Sequence, residues 1–269
     1  MWQKNKGENI MNLLLNPNPF PYAELVIIIV FASIFGLATL FATIVRIMLF
    51  HRYLTVNKHK TEHGLTGEQT AKMLLEVVGL TDVKVKKCNF FEAIFYGNSY
   101  SCRKKVIRLR KHIFDRTTTM AVGIASQKVA LAEQDRLGNK KLKVRSALWP
   151  WVTFAPVAFV PMVLIGLLLD LLIAKGTFVM TIIGLVVGFV YYVGAFIATL
   201  LTIGVEKEAN TASIELIKQS GLLSDEETNT LQKVYNLYVL AYIADFILAI
   251  LNLLKYIYQV LKVLIKLKK

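Results

Sequence analysis

The sequence predicts a predominantly α-helical integral membrane protein, with about four transmembrane helices and a small α+β cytoplasmic domain. Three observations carry that expectation. Hydrophobic residues make up 55% of the chain and the mean hydropathy is +0.51, too apolar for an ordinary soluble domain. Four stretches run 21 residues or longer with at most one charge, and roughly 20 apolar residues are enough to cross a bilayer. The net charge is +14, which on so apolar a chain suits an anionic membrane surface.

The first domain, 1–50, holds an N-terminal tail and the first span. Residues 25–45 carry no charge between Glu24 and Arg46. The stretch starts too far in and is too long for the apolar region of a signal peptide, so it reads as a retained anchor. The C-terminal membrane bundle, 147–269, contains uncharged runs at 147–169 and 176–205 and a third at 234–254 broken only by Asp245. Its loop, 206–233, should be helical and cytoplasmic. Lys and Arg near the span ends set the orientation. Eleven of them fall in the loops 51–146 and 206–233, against Lys4, Lys6 and Lys175 on the other face. This multi-pass protein of the cell membrane should therefore keep its soluble domain in the cytoplasm. The basic, amphipathic segment after Lys255 could instead lie along the interface.

Residues 51–146 have room for the folded domain. Thr66 with Gln69 forms a capping-box signature, and Ala71, Leu74, Leu75 and Val78 make an apolar helical stripe that ends at Gly79. Val83 and Val85 alternate with lysines as a half-buried strand. Val106, Ile107 and Leu109 begin another, with Arg108 and Arg110 expected to face out. Asp115 is expected to cap a helix reaching about Arg136, with Gly138 as its stop. Ser224 and Glu227 form a second capping box, opening a helix that continues into the last span.

Cysteine and histidine counts bound the chemistry. Two cysteines and four histidines exclude a disulfide scaffold and a four-cysteine zinc site. Cys88 and Cys102 should be free thiols, facing each other across a hairpin if they meet at all. His59, Glu62 and His63 spell the inverted zincin motif, but Gly64 and the Thr66 cap mark a linker rather than a helix able to align two imidazoles. Asp245 is an intramembrane acid, costly in lipid, and is expected to face the bundle beside Tyr238, Tyr242 or Asn252. Residues 51–146 carry 20 Lys/Arg against 8 Asp/Glu. The basic face of Lys84, Lys86, Lys87, Arg103, Lys104, Lys105, Arg108, Arg110 and Lys111 suits anionic headgroups or an acidic partner. No nucleic-acid motif accompanies it, and Phe90, Phe91, Phe95, Tyr96 and Tyr100 read as the core of the small domain rather than as a base-stacking platform.

An ordered series of stretches carries a resemblance: LTGEQTA at 65–71, GLTDVKV at 79–85, AVGIASQKVALAEQD at 121–135, LKVRSALWP at 142–150, GVEKEANTAS at 204–213 and GLLSDEE at 221–227. Together they resemble the YugP-type membrane zinc metallopeptidases of bacteria. In that family an H-E-x-x-H helix holds Zn²⁺ with two histidines one turn apart, while its Glu activates the bound water. The resemblance puts Gln127 at the first histidine, Lys128 at the general base and Leu131 at the second histidine, on the degenerate zincin helix of about 115–136. Glu206 matches the family's third ligand. Leu131 has no lone pair, a neutral amide is a poor zinc ligand, and a cation stands where the base should be. The resemblance thus implies a metallopeptidase scaffold without metal or catalytic residues. Such a pseudopeptidase would act as a membrane scaffold or partner-binding subunit in contact with lipids and other membrane proteins, an active relative or itself among them. The competing expectations are an active membrane zinc metallopeptidase with unconventional ligands and a basic membrane-surface recruitment scaffold. With the metal gone, a lone Glu206 carboxylate would be costly, so Lys128 is expected to pair with it, helped by Gln127 or Asn210.

Overall fold

The structure of this chain, a computed structural model, describes residues 21–173 and 178–267. They form α1 (Pro21–Val56), α2 (Gly67–Val77), β1 (Lys84–Lys87), α3 (Phe90–Phe95), β2 (Ser99–Ser101), β3 (Val106–Leu109), α4 (Lys111–Phe114), α5 (Thr119–Arg136), α6 (Lys140–Leu172), α7 (Val179–Gln219) and α8 (Asp225–Leu267). The chain divides into two compact units, Met1–Phe41 and Ala42–Lys269. In the first, the described residues are the apolar opening of α1, where the rings of Phe31 and Phe35 lie 6.4 Å apart.

Among the described residues, three helices are long and apolar enough to cross a membrane: Leu25–Val56, Val179–Gln219 and Asp225–Tyr258. The fourth expected span, 147–169, falls within α6, but the side chains of 149–160 lie outside the described residues. The basic C-terminal segment continues α8 unbroken as far as Leu267.

In the second unit, α5 is the central element. It packs against α2, the sheet, α6, α7 and α8, and sixteen of its eighteen residues are buried, which is how a helix behaves when it is covered on every side. Its apolar neighbours Leu74, Ile107, Ile113, Ile217, Leu231 and Tyr235 form one continuous core with Met120, Val122 and Val129. The sheet has the order β1-β3-β2, with β1 parallel and β2 antiparallel to β3. Gly67 opens α2 against α4, where a Cβ would fall 2.3 Å from the Ile113 carbonyl oxygen, so backbone contact alone excludes any side chain there. Gly166 does the same between α6 and α7, with a virtual Cβ 2.6 Å from the Met180 carbonyl. One turn on, the buried Asp170 accepts from the Met180 and Thr181 amides at 2.9 and 2.7 Å and from the Thr181 hydroxyl at 2.7 Å. This cap ties the start of α7 to the end of α6, satisfying amide donors that no helical turn can reach.

Local signals read from the sequence recur in the structure where they depend on neighbouring residues. Thr66 and Gln69 make a reciprocal capping box, as do Ser224 and Glu227, and Gly79 and Gly138 take positive φ at helix ends. Two expectations are corrected. Asp115 ends α4 rather than starting α5; Thr118 caps α5, accepting from the Ala121 amide. Arg108 is buried, not outward, because Glu92 lies 3.5 Å from its guanidinium and the Tyr96 ring lies beneath it.

The aromatic segment is a further correction. Tyr100 packs on the core, but α3 buries none of its residues, and Phe90, Phe91, Phe95 and Tyr96 are exposed. The acid Glu92 takes the inward side, held by Lys86 and Arg108, and this leaves the phenylalanines facing out.

Candidate functional site

Three helices converge on one carboxylate. α5 supplies Gln127 and Lys128, α7 supplies Glu206 and Asn210 one turn apart on the same face, and α6 supplies Arg145 from its second turn. Gln127 Nε2 donates to Glu206 Oε2 at 2.8 Å and to Asn210 Oδ1 at 2.7 Å. Lys128 Nζ donates to Gln127 Oε1 at 2.7 Å and stands 4.0 Å from Glu206 Oε2. Arg145 Nη1 lies 2.8 Å from Glu206 Oε1. Glu206 is only 2% exposed, so its charge depends on these partners rather than on water. Burial pushes the Lys128 ammonium below its ordinary pKa, Glu206 pulls it back up, and Arg145 adds to the lowering.

Arg145 is the direct ionic partner of Glu206, and sequence reasoning missed it. It lies in the LKVRSALWP stretch, three residues after Leu142. Its signal was a cation at the start of an apolar run, which looked like an ordinary span-flanking charge. Tyr235 was missed as well: its hydroxyl donates to the Gly123 carbonyl at 2.6 Å and lies 3.0 Å from Ser213 Oγ, which binds α8 to α5 and α7. Two turns further along α5, Asp135 accepts from the Tyr100 hydroxyl and from Lys105 Nζ, both at 2.8 Å. Burial and the Asp135 carboxylate push the Tyr100 phenol up.

The donor set does not fit zinc. Leu131, one turn on from Gln127, is buried among Ala130, Leu142, Val205 and Ala209, hydrocarbon with no lone pair to offer. Both protons of the Gln127 amide are already given away. Asn210 Nδ2, buried and without an acceptor among the described residues, is a donor and cannot ligate a cation. Two positive side chains occupy the remaining approach to Glu206. Among the described residues no three His, Cys, Asp or Glu side chains converge.

Beside the site is an open cavity of about 300 Å³ whose walls include Gln127, Lys128, Tyr235, Tyr238, Tyr242 and Arg110. The other singled-out residues lie elsewhere. His59, Glu62 and His63 fall after α1 in bridge and turn backbone, where Lys60 pairs with Thr118; no helix aligns the two imidazoles. Asp245 is bonded not to a tyrosine or Asn252 but to the Arg46 guanidinium of α1, while Asn252 donates to the Leu248 carbonyl. The two thiols are free and do not face each other. Cys88 Sγ donates to the Gly97 carbonyl and Cys102 Sγ lies against Ser146 Oγ, each at 3.3 Å.

Comparison with known proteins adds three findings. A family model described as "Putative neutral zinc metallopeptidase" matches residues 27–261. The chain is 26% identical over 212 residues to the "Putative membrane protease YugP" of Bacillus subtilis (strain 168), covering 77% of this chain and 85% of that protein. No solved structure matches.

Proposed function

Given that this chain belongs to the neutral zinc metallopeptidase family matched over residues 27–261, we propose that it is a catalytically inactive member. In this reading it is a pseudopeptidase of the cell membrane, multi-pass, with its soluble domain in the cytoplasm. It works as a scaffold or partner-binding subunit for other membrane proteins, an active relative or a second copy included. One observation carries the proposal: Gln127, Lys128 and Arg145 are turned onto Glu206, so the carboxylate that would serve a metal serves an internal ion network. Zinc in this family supplies a Lewis acid and an activated water; in this chain the surrounding side chains supply neither a second ligand nor a base. What they do is structural, fastening α5 to α6 and to the foot of α7.

The test is metal analysis of the purified chain together with a peptidase assay. The expected result is sub-stoichiometric zinc and no chelator-sensitive hydrolysis. Stoichiometric zinc lost on Glu206→Ala, with hydrolysis, overturns the proposal. It would favour the second reading, a working membrane metallopeptidase with unconventional ligands, which the family description and the name of the relative support. A basic membrane-surface recruitment scaffold, supported by the excess of Lys and Arg over residues 51–146, is compatible with inactivity and would be recognised by partner capture that depends on those cations.

A further inference from the structure

Helix α3 has its polarity reversed for a water-exposed element. Phe90, Phe91, Ile94 and Phe95 fall at i, i+1, i+4 and i+5, one helical face, and that face is outward: the four are 74, 69, 59 and 56% exposed. Glu92 and Ala93 take the inner side. Contiguous aromatic surface of this kind marks an interaction site.

The face is rigidly mounted. Asn89 and Glu92 cap the helix reciprocally. Glu92 pairs with Lys86 at 2.7 Å, and Arg110 Nη2 donates to the Ala93 carbonyl at 3.0 Å. The apolar side chains are held out by a polar cradle rather than left over from loose packing.

Its surroundings say what covers it. The residues that follow α3, Tyr96, Gly97 and Asn98, line the same cavity as Tyr238 and Tyr242 of the apolar helix α8. Asn98 shares a second cavity with Arg46 and Phe50 of α1. Arg46, bonded to Asp245, is the charge that ends the uncharged run 25–45. This is the level at which a span leaves hydrocarbon for headgroups, so α3 lies close to that level. Exposed Lys84, Arg103, Lys104 and Lys111 flank it in sequence, the charge that draws a segment to an anionic leaflet.

We propose that α3 is an interfacial anchor: Phe90, Phe91, Ile94 and Phe95 insert at the headgroup–acyl boundary of the anionic leaflet next to the spans. The helix lies in the plane of the interface, its phenylalanines in acyl chains and its cationic neighbours among the headgroups, as interfacial helices do.

The experiment uses the full chain with Cys88→Ser and Cys102→Ser, a nitroxide on Phe91→Cys or Phe95→Cys, and Lys104→Cys as reference. Each is reconstituted in phosphatidylglycerol–phosphatidylcholine vesicles and read by electron paramagnetic resonance collision with oxygen and with an aqueous nickel chelate. Collisions at 91 and 95 should shift toward oxygen, while those at 104 stay with the chelate. Chelate-dominated collisions at 91 and 95 would overturn the proposal by placing the face in water. Exclusion of both reagents would overturn it too, by showing a protein or a second copy over the face. If the labelled variants fail to fold, the unmodified chain in vesicles of carbene-bearing phospholipid gives the same decision. Lipid adducts on residues 90–95 support the anchor, and adducts confined to the long apolar helices overturn it.

Discussion

The guanidinium of Arg145 and the carboxylate of Glu206 meet at 2.8 Å, while the Lys128 ammonium stands 4.0 Å from the same carboxylate. The site is therefore a three-charge cluster with net positive character, in which Glu206 is the only anion binding two cations and an amide. A buried ion cluster is costly to break from one side even where its net contribution is small.

Glu206→Ala should accordingly destabilise the protein by about 3–5 kcal/mol, the cost of stranding a buried charge, because both Lys128 and Arg145 lose their counter-charge. Lys128→Ala should cost less, since Glu206 keeps Arg145 and Gln127. Replacing Lys128, Arg145 and Glu206 together by Gln should be milder than Glu206→Ala alone. Thermal unfolding of the variants in one detergent checks the order.

A metal-ligand set introduced beside Glu206 tests whether Arg145 competes with metal for that carboxylate. Gln127→His, Lys128→Glu and Leu131→His together should bind zinc weakly, because Arg145 still occupies Glu206. Adding Arg145→Gln should tighten zinc binding by about tenfold or more, a difference of at least about 1.4 kcal/mol. Titration calorimetry with zinc compares the two; equal affinities would show that Arg145 does not compete.

Topology can be read from the two native thiols, with a condition on rate. Burial raises the thiol pKa of Cys88, Glu92 adding to it, and burial likewise raises that of Cys102. Both are therefore protonated at neutral pH and should react more slowly than a cysteine placed at exposed Lys104, since the thiolate is the nucleophile. All three should resist an impermeant reagent in intact cells and react once the membrane is opened. Rapid labelling from outside would reverse the orientation.

His112 gives a pH dependence. Burial, then Arg110 and Arg116, hold its imidazole below the ordinary value, which is about 6.5. The folded ring stays neutral while the unfolded chain takes up a proton below about pH 6.5, so the unfolded state binds more protons in that window. Stability should then decline as pH falls from about 6.5 toward the lower folded pKa, and His112→Gln should flatten that part of the curve in denaturant titrations run across it.

The sequence by itself determined what depends on neighbours along the chain. Composition located the apolar helices Leu25–Val56, Val179–Gln219 and Asp225–Tyr258. Three-residue spacing gave the caps at Thr66 and Ser224, because the hydroxyl and the amide it serves lie within one turn. The ordered motifs pointed to the family, and the side chains at Gln127, Lys128 and Leu131 carried the expectation of lost metal-ligand chemistry, since donor capacity is a property of the residue itself. Tertiary structure alone decided which helix faces meet. Arg145 on Glu206 and Arg46 on Asp245 join residues far apart in the chain, and no local spacing signals them. It also reversed two readings in one stroke: Glu92 draws Arg108 inward, so Phe90, Phe91 and Phe95, which as hydrophobic residues read as core, are turned out. A cradled charge and a hydrophobic face compete for the inner side of so short a helix, and only the presence of Lys86 and Arg108 beside it settles which one goes in.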